Sequence, residues 1–358
     1  MKKSLIALAV LAASGAAMAQ SSVTLFGVAD AGVTYLNGAS NWSGVTSGNN
    51  LTSRLGFRGV EDLGGGLKAG FWIEGGFNLD SGDGASGFAG SKAGDGFQFK
   101  RRSTVGLMGN FGEVRLGREL TAAFNATARY DVFGSVGIGQ SRLWADGGVV
   151  DASANATAVT TNQRISNAVT YVSPNFAGFK VGVNYAFGET SAGTSNSSYA
   201  GAGLMYDNGP LSLGLGLERL NNGTNAIATS DIDAWSLGGS YDFGVAKLLA
   251  GYRESTVDNL VGVENKRNGA YVAVTAPVGP GLVRASYNRY ENELGNNKDK
   301  ADQFAVGYVY GLSKRTSVYG TYAYIKNKDG ANLYSLGAGG LKNNGVQQGV
   351  QVGVSHTF

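Results

Sequence analysis

Arginine is the residue type whose placement in this sequence could do chemistry. Arg54 and Arg58 lie four residues apart, Arg101 and Arg102 are adjacent, and Arg164 follows a long interruption of the regular pattern. A guanidinium stays charged at physiological pH and donates hydrogen bonds in a planar fork. Clustered arginines therefore predict a site that attracts anions, provided that the fold brings them to one place.

Other kinds of chemistry find little support in the composition. The chain has 358 residues, no cysteine and one histidine, His356, which lies two residues from the end. A nucleophile with a histidine base, or a zinc site of cysteines and histidines, is therefore poorly supported. We expect no enzyme activity, cofactor or metal. The formal charge of only +3 also argues against nucleic-acid binding.

The first 19 residues have the features of a secretory signal peptide. Two lysines precede an apolar run over 5–13, and residues 17–19 form an A-x-A cleavage site. The apolar run is shorter than the roughly 20 residues that a membrane-spanning helix needs. We therefore expect cleavage after Ala19, which leaves one domain over residues 20–358 with no internal boundary.

Alternation of apolar and polar residues predicts that this domain consists of β-strands. Near the C-terminus, valines at 350, 352 and 354 alternate with small or polar residues. Successive side chains of a strand point to opposite faces, so one face is apolar and the other is polar or small. The pattern predicts sixteen strands, at 23–36, 51–61, 67–80, 97–109, 112–118, 164–173, 178–189, 198–207, 210–220, 231–243, 245–256, 267–277, 281–292, 301–311, 314–327 and 346–358.

An even number of strands joined alternately by tight turns and long loops is typical of an all-β, transmembrane antiparallel up-and-down β-barrel. Most of the predicted strands exceed the roughly 9–11 residues that a tilted strand needs to cross a bilayer. Small residues on the second face would leave the interior open, whereas a packed core needs bulk. The predicted long polar loops are 37–50, 81–96, 119–163, 190–197, 221–230, 257–266, 293–300 and 328–345.

In such a barrel the arginines are expected to face the lumen or the membrane interface. An arginine that faces lipid near the midplane costs about 2–4 kcal/mol. Arg54 and Arg58 share the inward positions of their strand, whereas alternation directs either Arg101 or Arg102 inward. Charges that line a pore select the sign of the permeant ion.

The longest stretch without strand alternation is Glu119–Thr161. A connection of more than about 15 residues is uncommon in a compact structure and is usually functional. We interpret this stretch, within the predicted loop 119–163, as a segment that folds into the lumen and sets the width and charge of a pore.

Five segments carry a resemblance to a known family, and they read SVTLFGVADAGV, SRLGFRGVEDLGGGLKAGFWIE, RRSTVGLMGNFGEVRLGRELTAAF, NAVTYVSPNFAGFKVGVNYAF and VGVSHTF. They resemble the sixteen-stranded, trimeric general porins of Gram-negative outer membranes. The resemblance implies that loop 119–163 narrows the pore. It also implies a basic side of the constriction formed by Arg54, Arg101 and Arg164. The alternation adds Arg58 to this side, and Arg102 is the reserve for Arg101.

The resemblance further implies that acidic groups of the long loop oppose these arginines. The candidates are Glu119, Asp131, Asp146 and Asp151. Relatives usually have arginine followed by a neutral residue at the position of the adjacent arginines, which favours Arg101 over Arg102. The loop departs from the family in one respect, because Asp131-Val132-Phe133-Gly134 lacks the proline often found there.

From the resemblance we expect an outer-membrane channel for passive diffusion of small hydrophilic solutes and ions. Lumen arginines outnumber the acids that can be placed there, so mild anion selectivity is expected. Expected partners are membrane lipid and lipopolysaccharide, two further copies of the chain in a homotrimer, and the barrel-assembly machinery, which would read Phe358. The alternatives are a substrate-specific channel for an anionic nutrient and an adhesin or receptor that uses its loops.

Overall fold

The computed structural model of the chain describes residues 22–84, 96–145, 163–188, 198–221, 230–259, 264–294, 297–330, 334–338 and 345–358. The predicted signal peptide and the predicted loop acids Asp146 and Asp151 lie outside these residues. The described strands are β1 Ser22–Asn37, β2 Asn41–Ser47, β3 Arg54–Gly64, β4 Leu67–Gly76, β5 Gln98–Gly109, β6 Gly112–Leu120, β7 Arg164–Val172, β8 Phe179–Ala186, β9 Ser198–Asn208, β10 Leu211–Asn221, β11 Ser230–Asp242, β12 Lys247–Asn259, β13 Glu264–Val278, β14 Gly281–Leu294, β15 Asn297–Gly311, β16 Thr316–Lys328 and β17 Val346–Thr357. The described helices are α1 Ala122–Thr127, a 3-10 turn Ala128–Tyr130, and α2 Arg142–Ala145.

Pairing between β1 and β17 closes the sheet into an antiparallel barrel. Residues Val28–Asn37 of β1 pair with β17, and beyond β17 itself Phe358 exchanges backbone hydrogen bonds of 3.0 and 3.1 Å with Gly27. From β3 to β17, each strand pairs antiparallel with the next one in sequence. The all-β barrel predicted from the sequence is thereby confirmed.

The second edge of β1 is shared by two strands. Ser22–Val28 pairs with β3, and Ala31–Asn37 pairs with β2. β2 and β3 therefore occupy one position around the barrel, which has sixteen positions and seventeen strands. The prediction that 37–50 is wholly loop was wrong, because without β2 the upper edge of β1 would be left unpaired.

The start of the long loop also differs from the prediction. β6 runs to Leu120, so Glu119 belongs to a strand and the loop begins at Thr121. A register shift between Gly117 and Glu119 interrupts the alternation without ending the pairing with β7. Gly117 has a φ of +128°, a conformation that favours glycine at such a bulge. The remaining loop, residues 121–163, is called L3 below.

The two faces of the strands differ as the alternation predicts. Val350, Val352 and Val354 of β17 are exposed on the outer face, whereas Gln347 and Gln351 on the inner face are buried. Outward aromatic side chains pair with one another near strand ends, as Tyr241 and Phe243 do with ring centroids 4.7 Å apart. None of the helices in the described ranges has the length and apolar character required to span a membrane.

Residues 121–130 of L3 pack against the inner faces of β8–β11. Thr121 caps α1 by accepting a hydrogen bond from the Phe124 N–H at 3.2 Å. The Ala122 N–H then donates to Asn184 Oδ1 at 3.3 Å, and the Tyr130 hydroxyl lies 2.9 Å from the Ser212 hydroxyl. These polar contacts fix α1 and the 3-10 turn to the wall.

The rest of the described part of L3, residues 132–145, continues across the inner faces of β13–β17. The Val132 N–H donates to the Tyr271 hydroxyl at 2.8 Å, and the Ser141 hydroxyl donates to Asn288 Oδ1 at 2.6 Å. Apolar side chains of L3 are buried between these contacts, among them Phe133, Ile138, Leu143 and Trp144. The described part of L3 therefore lies inside the barrel along the wall from β8 to β17.

Inner-face glycines of β9–β11 form a groove for α1 and the turn that follows. A Cβ atom on Gly203 would lie 2.2 Å from the carbonyl oxygen of Ala122, and one on Gly214 would lie 2.1 Å from that of Ala126. The expectation that small inner residues leave the lumen open was wrong along these strands. The residues are small because the backbone of L3 occupies the space where their side chains would be.

Enlarging one of these glycines is therefore expected to displace L3. Gly214→Val forces a side chain into the backbone of α1, and overpacking of this kind costs about 1–3 kcal/mol. We expect amides of Ala122–Thr127 to lose protection in hydrogen exchange. Gly320→Val is the matched control, because Gly320 pairs with outward-facing Val352 and has open space where a Cβ would lie. Equal protection of α1 in the two variants would contradict the groove.

Candidate functional site

A buried glutamate brings three of the predicted arginines together. The Glu74 carboxylate on β4 accepts a hydrogen bond from Arg101 Nε, and Arg54 Nη1 lies 3.7 Å from the same oxygen. Arg164 Nε donates to the carbonyl oxygen of Arg101 at 2.9 Å. Since three guanidinium groups repel one another, a carboxylate among them lowers the cost of holding them side by side.

The alternative between Arg101 and Arg102 is resolved by a bulge. Glu74 is opposite Arg102 and Gly76 is opposite Gln98, so three residues of β5 face one residue of β4. Alternation fails across such a bulge, and both arginines point inward. Arg101 reaches Glu74, whereas the Arg102 Nε donates to the Thr104 hydroxyl at 3.0 Å.

Arg58 and Arg102 are held by aromatic rings. The Arg58 guanidinium carbon lies 5.1 Å from the ring centroid of Trp72 and 5.4 Å from that of Phe26. The Arg102 guanidinium carbon lies 4.7 Å from the Trp72 centroid. Phe26 and Trp72 meet edge to face at 5.1 Å. We call Phe26, Arg58, Trp72 and Arg102 the aromatic shelf.

The loop acids predicted to oppose the arginines have other partners where they are described. Glu119 is buried at the end of β6 and pairs with Arg115 at 2.7 Å. Asp131 is buried in L3, and its carboxylate accepts hydrogen bonds of 2.9–3.0 Å from the N–H groups of Phe133, Ser135 and Ser141. These two carboxylates hold the chain in place, since their bonds go to a neighbouring arginine and to the loop backbone.

Glu74 and Trp72 are the residues that sequence reasoning missed. Both lie within the quoted segment SRLGFRGVEDLGGGLKAGFWIE. In the structure Arg58 is opposite Trp72 and Gly56 is opposite Glu74, beyond a register shift between Asp62 and Gly64. Trp72 and Glu74 alternate with outward-facing Phe71, so the period of two along β4 was the signal that could have placed them on the inner face.

His356 lies on the outer face near the barrel rim. Its Nδ1 is 2.9 Å from the Thr316 hydroxyl, and the contact is exposed. Neighbouring Val354 is likewise exposed on the outer face, whereas the arginines lie on inner faces of β3–β7. The single histidine is therefore remote from the arginine cluster.

Comparison with known proteins agrees with this architecture. The sequence profile of a family described as Gram-negative porin matches residues 5–330. The chain is 47% identical to the outer membrane porin protein 32 of Delftia acidovorans, with all of both chains covered. It is 34% identical to an outer membrane porin protein of Bordetella pertussis, over 91% of this chain and 95% of that one.

Solved structures are similar over nearly the whole barrel. The anion-selective porin from Comamonas acidovorans superposes with a TM-score of 0.84 at 40% identity, over 95% of this chain and 100% of that one. The trimer form of OmpT from Vibrio cholerae has a TM-score of 0.67 at 17% identity, over 94% and 99%. At that identity the likeness to OmpT concerns the fold alone.

Asp131 makes the stability of the folded L3 depend on pH, and the burial of its carboxyl sets the sign of this dependence. Burial raises the pKa of the Asp131 carboxyl to about 6, against the opposing effect of its three N–H donors and of Arg284. The unfolded chain titrates near pH ~3.9, so the folded chain binds this proton more tightly. The contribution of the Asp131 carboxyl to the stability of the folded state is therefore fully present below about pH 4 and is lost as the pH rises through about 6.

We therefore expect the amides of Ser135 and Ser141 to be better protected at pH 4 than at pH 7. Hydrogen exchange, corrected for the intrinsic rate at each pH, measures this difference, which amounts to at most about 3 kcal/mol. Asp131→Asn should remove the pH dependence because the amide does not titrate. An undiminished dependence in this variant would assign the titration to another group.

Proposed function

Because the chain belongs to the Gram-negative porin family, we propose that it forms an outer-membrane channel for passive diffusion of small hydrophilic solutes and ions, with a preference for anions. The observation that carries the preference is the set of arginines on the inner faces of β3–β7. Arg54, Arg101 and Arg164 form the core of the basic side, and Arg58 and Arg102 extend it. Fixed charges along a narrow pore select the sign of the permeant ion.

The balance of charge supports anions over cations. Glu74 is one carboxylate beside two arginines, Arg54 and Arg101. Arg58 and Arg102 have no carboxylate within ion-pair distance in the described part of the chain. The relative in Comamonas acidovorans, 40% identical, is described as anion-selective, which agrees with this proposal.

The acidic side of the constriction is proposed differently from the prediction. Glu74 takes the place of Glu119 and Asp131 as the carboxylate that meets the arginines, since those two have other partners. Asp146 and Asp151 remain proposed as acids of L3 that face the pore. The described L3 wall from β8 to β17 would form the other side of the passage.

Export, assembly and oligomeric state complete the proposal. The signal peptide is proposed to be cleaved after Ala19. Phe358, whose backbone pairs with Gly27, is proposed as the signal that the barrel-assembly machinery reads. A homotrimer is proposed because the solved relative OmpT has a trimer form, and the exposed apolar outer face would contact lipid, lipopolysaccharide and the neighbouring copies.

Reversal potential in a planar bilayer under a KCl gradient tests the preference. We expect the sign of an anion-selective channel. Neutralising Arg54 and Arg101 together, as R54Q/R101Q, should lower the anion-to-cation permeability ratio by about 3- to 10-fold, which corresponds to about 0.7–1.4 kcal/mol. Adding Glu74→Gln should restore part of the ratio, because the double variant leaves that carboxylate without its arginine partners.

Arg289→Gln is the control for the loss of a positive charge. Arg289 is exposed on the outer face of β14 and pairs there with Glu291 at 3.3 Å, so its loss should leave the ratio unchanged. A cation preference of the wild-type channel would refute the proposed selectivity. An unchanged ratio in R54Q/R101Q would move the selective charges to another part of the lumen.

A further inference from the structure

Arg58 and Trp72 of the aromatic shelf lie on one row of residues that face one another across four strands, and Phe26 and Arg102 lie on the adjacent row with Gly56 and Glu74. Thr24 of β1 is opposite Arg58 of β3, Arg58 is opposite Trp72 of β4, and Trp72 is opposite Thr104 of β5. Arg58 is four residues closer than Arg54 to the tight turn at 64–66, which is roughly 13 Å along the strand. Arg58 is therefore offset along the pore axis from Arg54.

Apolar ring surface inside a water-filled lumen calls for an explanation. Phe26 and Trp72 are only half-buried, although both lie on inner positions of their strands. Their outward neighbours on the same strands, such as Leu25 and Phe71, have lipid to face. Inside the pore the rings gain nothing from lipid, and polar or small residues would serve an unspecific aqueous passage equally well.

The shelf combines this ring surface with two guanidinium groups that form no ion pair within the described part of the chain. Arg58 is exposed, and its only described contacts are the rings of Phe26 and Trp72. Arg102 contacts Trp72 and donates one hydrogen bond to Thr104. A cation stacked on a ring is held in place while the edge of its guanidinium stays free to donate to a carboxylate.

Trp72 is itself oriented by a neighbour. Its Nε1–H donates to Glu74 Oε2 at 3.1 Å, and Phe26 packs edge to face against it. The positions of the two guanidinium groups relative to the rings are thus set before a solute arrives. A site that is ordered in advance loses less entropy on binding.

We propose that the aromatic shelf is a binding subsite for aromatic carboxylates on their way through the pore. The proposal rests on the channel function proposed above and adds a class of solute to it. The carboxylate accepts hydrogen bonds from Arg58, with Arg102 adding a second positive charge. The ring of the solute packs against the exposed surface of Phe26 and Trp72.

The same geometry discriminates among anions. Chloride and acetate engage the guanidinium groups and leave the rings in water. An aliphatic ring of similar size offers apolar area without the quadrupole that favours edge-to-face and offset contacts between aromatic rings. The subsite should therefore hold benzoate longer than acetate or cyclohexanecarboxylate, although all three carry one negative charge.

Conductance of the full channel in planar bilayers tests this subsite. Current is measured against concentration in the sodium salts of chloride, acetate, cyclohexanecarboxylate and benzoate. For the wild type we expect linear growth in chloride and acetate and saturation in benzoate. Trp72→Leu and Phe26→Leu should each raise the half-saturating benzoate concentration roughly five- to tenfold.

Two further variants make the reading specific. Phe71→Leu is the matched control, because Phe71 is adjacent to Trp72 on β4 and faces outward, so benzoate saturation should be unchanged. Arg58→Gln should abolish saturation, since the carboxylate loses its donor. Phe26→Leu is needed in addition to Trp72→Leu because it removes ring surface without disturbing the arginine cluster. The described contacts of Phe26 include neither Glu74 nor Arg101.

Linear benzoate currents in the wild type, or equal saturation by benzoate and cyclohexanecarboxylate, would overturn the subsite. Saturation that survives both Trp72→Leu and Phe26→Leu would overturn it as well. A failure of the underlying channel proposal has a separate outcome, because then the wild type would give no chloride current at all.

Discussion

Complete pairing of backbone groups is the constraint on which the rest of this structure depends. A strand in an apolar membrane has no water to satisfy its N–H and C=O groups, so each edge must meet another edge. Here that requirement explains the pairing of β1 with β17, the extension of that pairing to Phe358, and the short strand β2 on the upper edge of β1. Closure fixes which side chains face inward, and the inner face is where function can reside.

Closure also creates an interior that a single loop can divide. The described part of L3 lies along the wall from β8 to β17. Glycines such as Gly203 and Gly214 let its backbone approach the wall closely, and hydroxyl and amide side chains of the wall satisfy its polar groups. The consequence is a lumen with two unlike sides, one made of loop and the other made of the arginine-bearing strands.

The sequence predicts the strands well because a period of two survives wherever one face meets lipid. It fails where the period is broken by a bulge, as at Gly117, which hid the end of β6, and beside Glu74, where both Arg101 and Arg102 turn inward. Glycines on inner positions were misread for a related reason: alternation shows which face a residue takes but says nothing about what lies against it. The partners of Glu119 and Asp131 depend on contacts between distant segments, which no local pattern encodes.

The lumen holds its arginines in two physically different ways, and the difference bears on selectivity. An ion pair, as between Arg101 and Glu74, positions a guanidinium but offsets part of its charge, so the pair adds less to an anion-attracting field than an unpaired guanidinium would. A ring, as Trp72 provides for Arg58 and Arg102, positions the guanidinium through the negative face of its quadrupole and leaves the net charge in place. A pore that needs both order and positive potential therefore gains from aromatic support next to a carboxylate-linked cluster. Glu74 joins the two arrangements, since one of its oxygens accepts from Arg101 and the other orients Trp72.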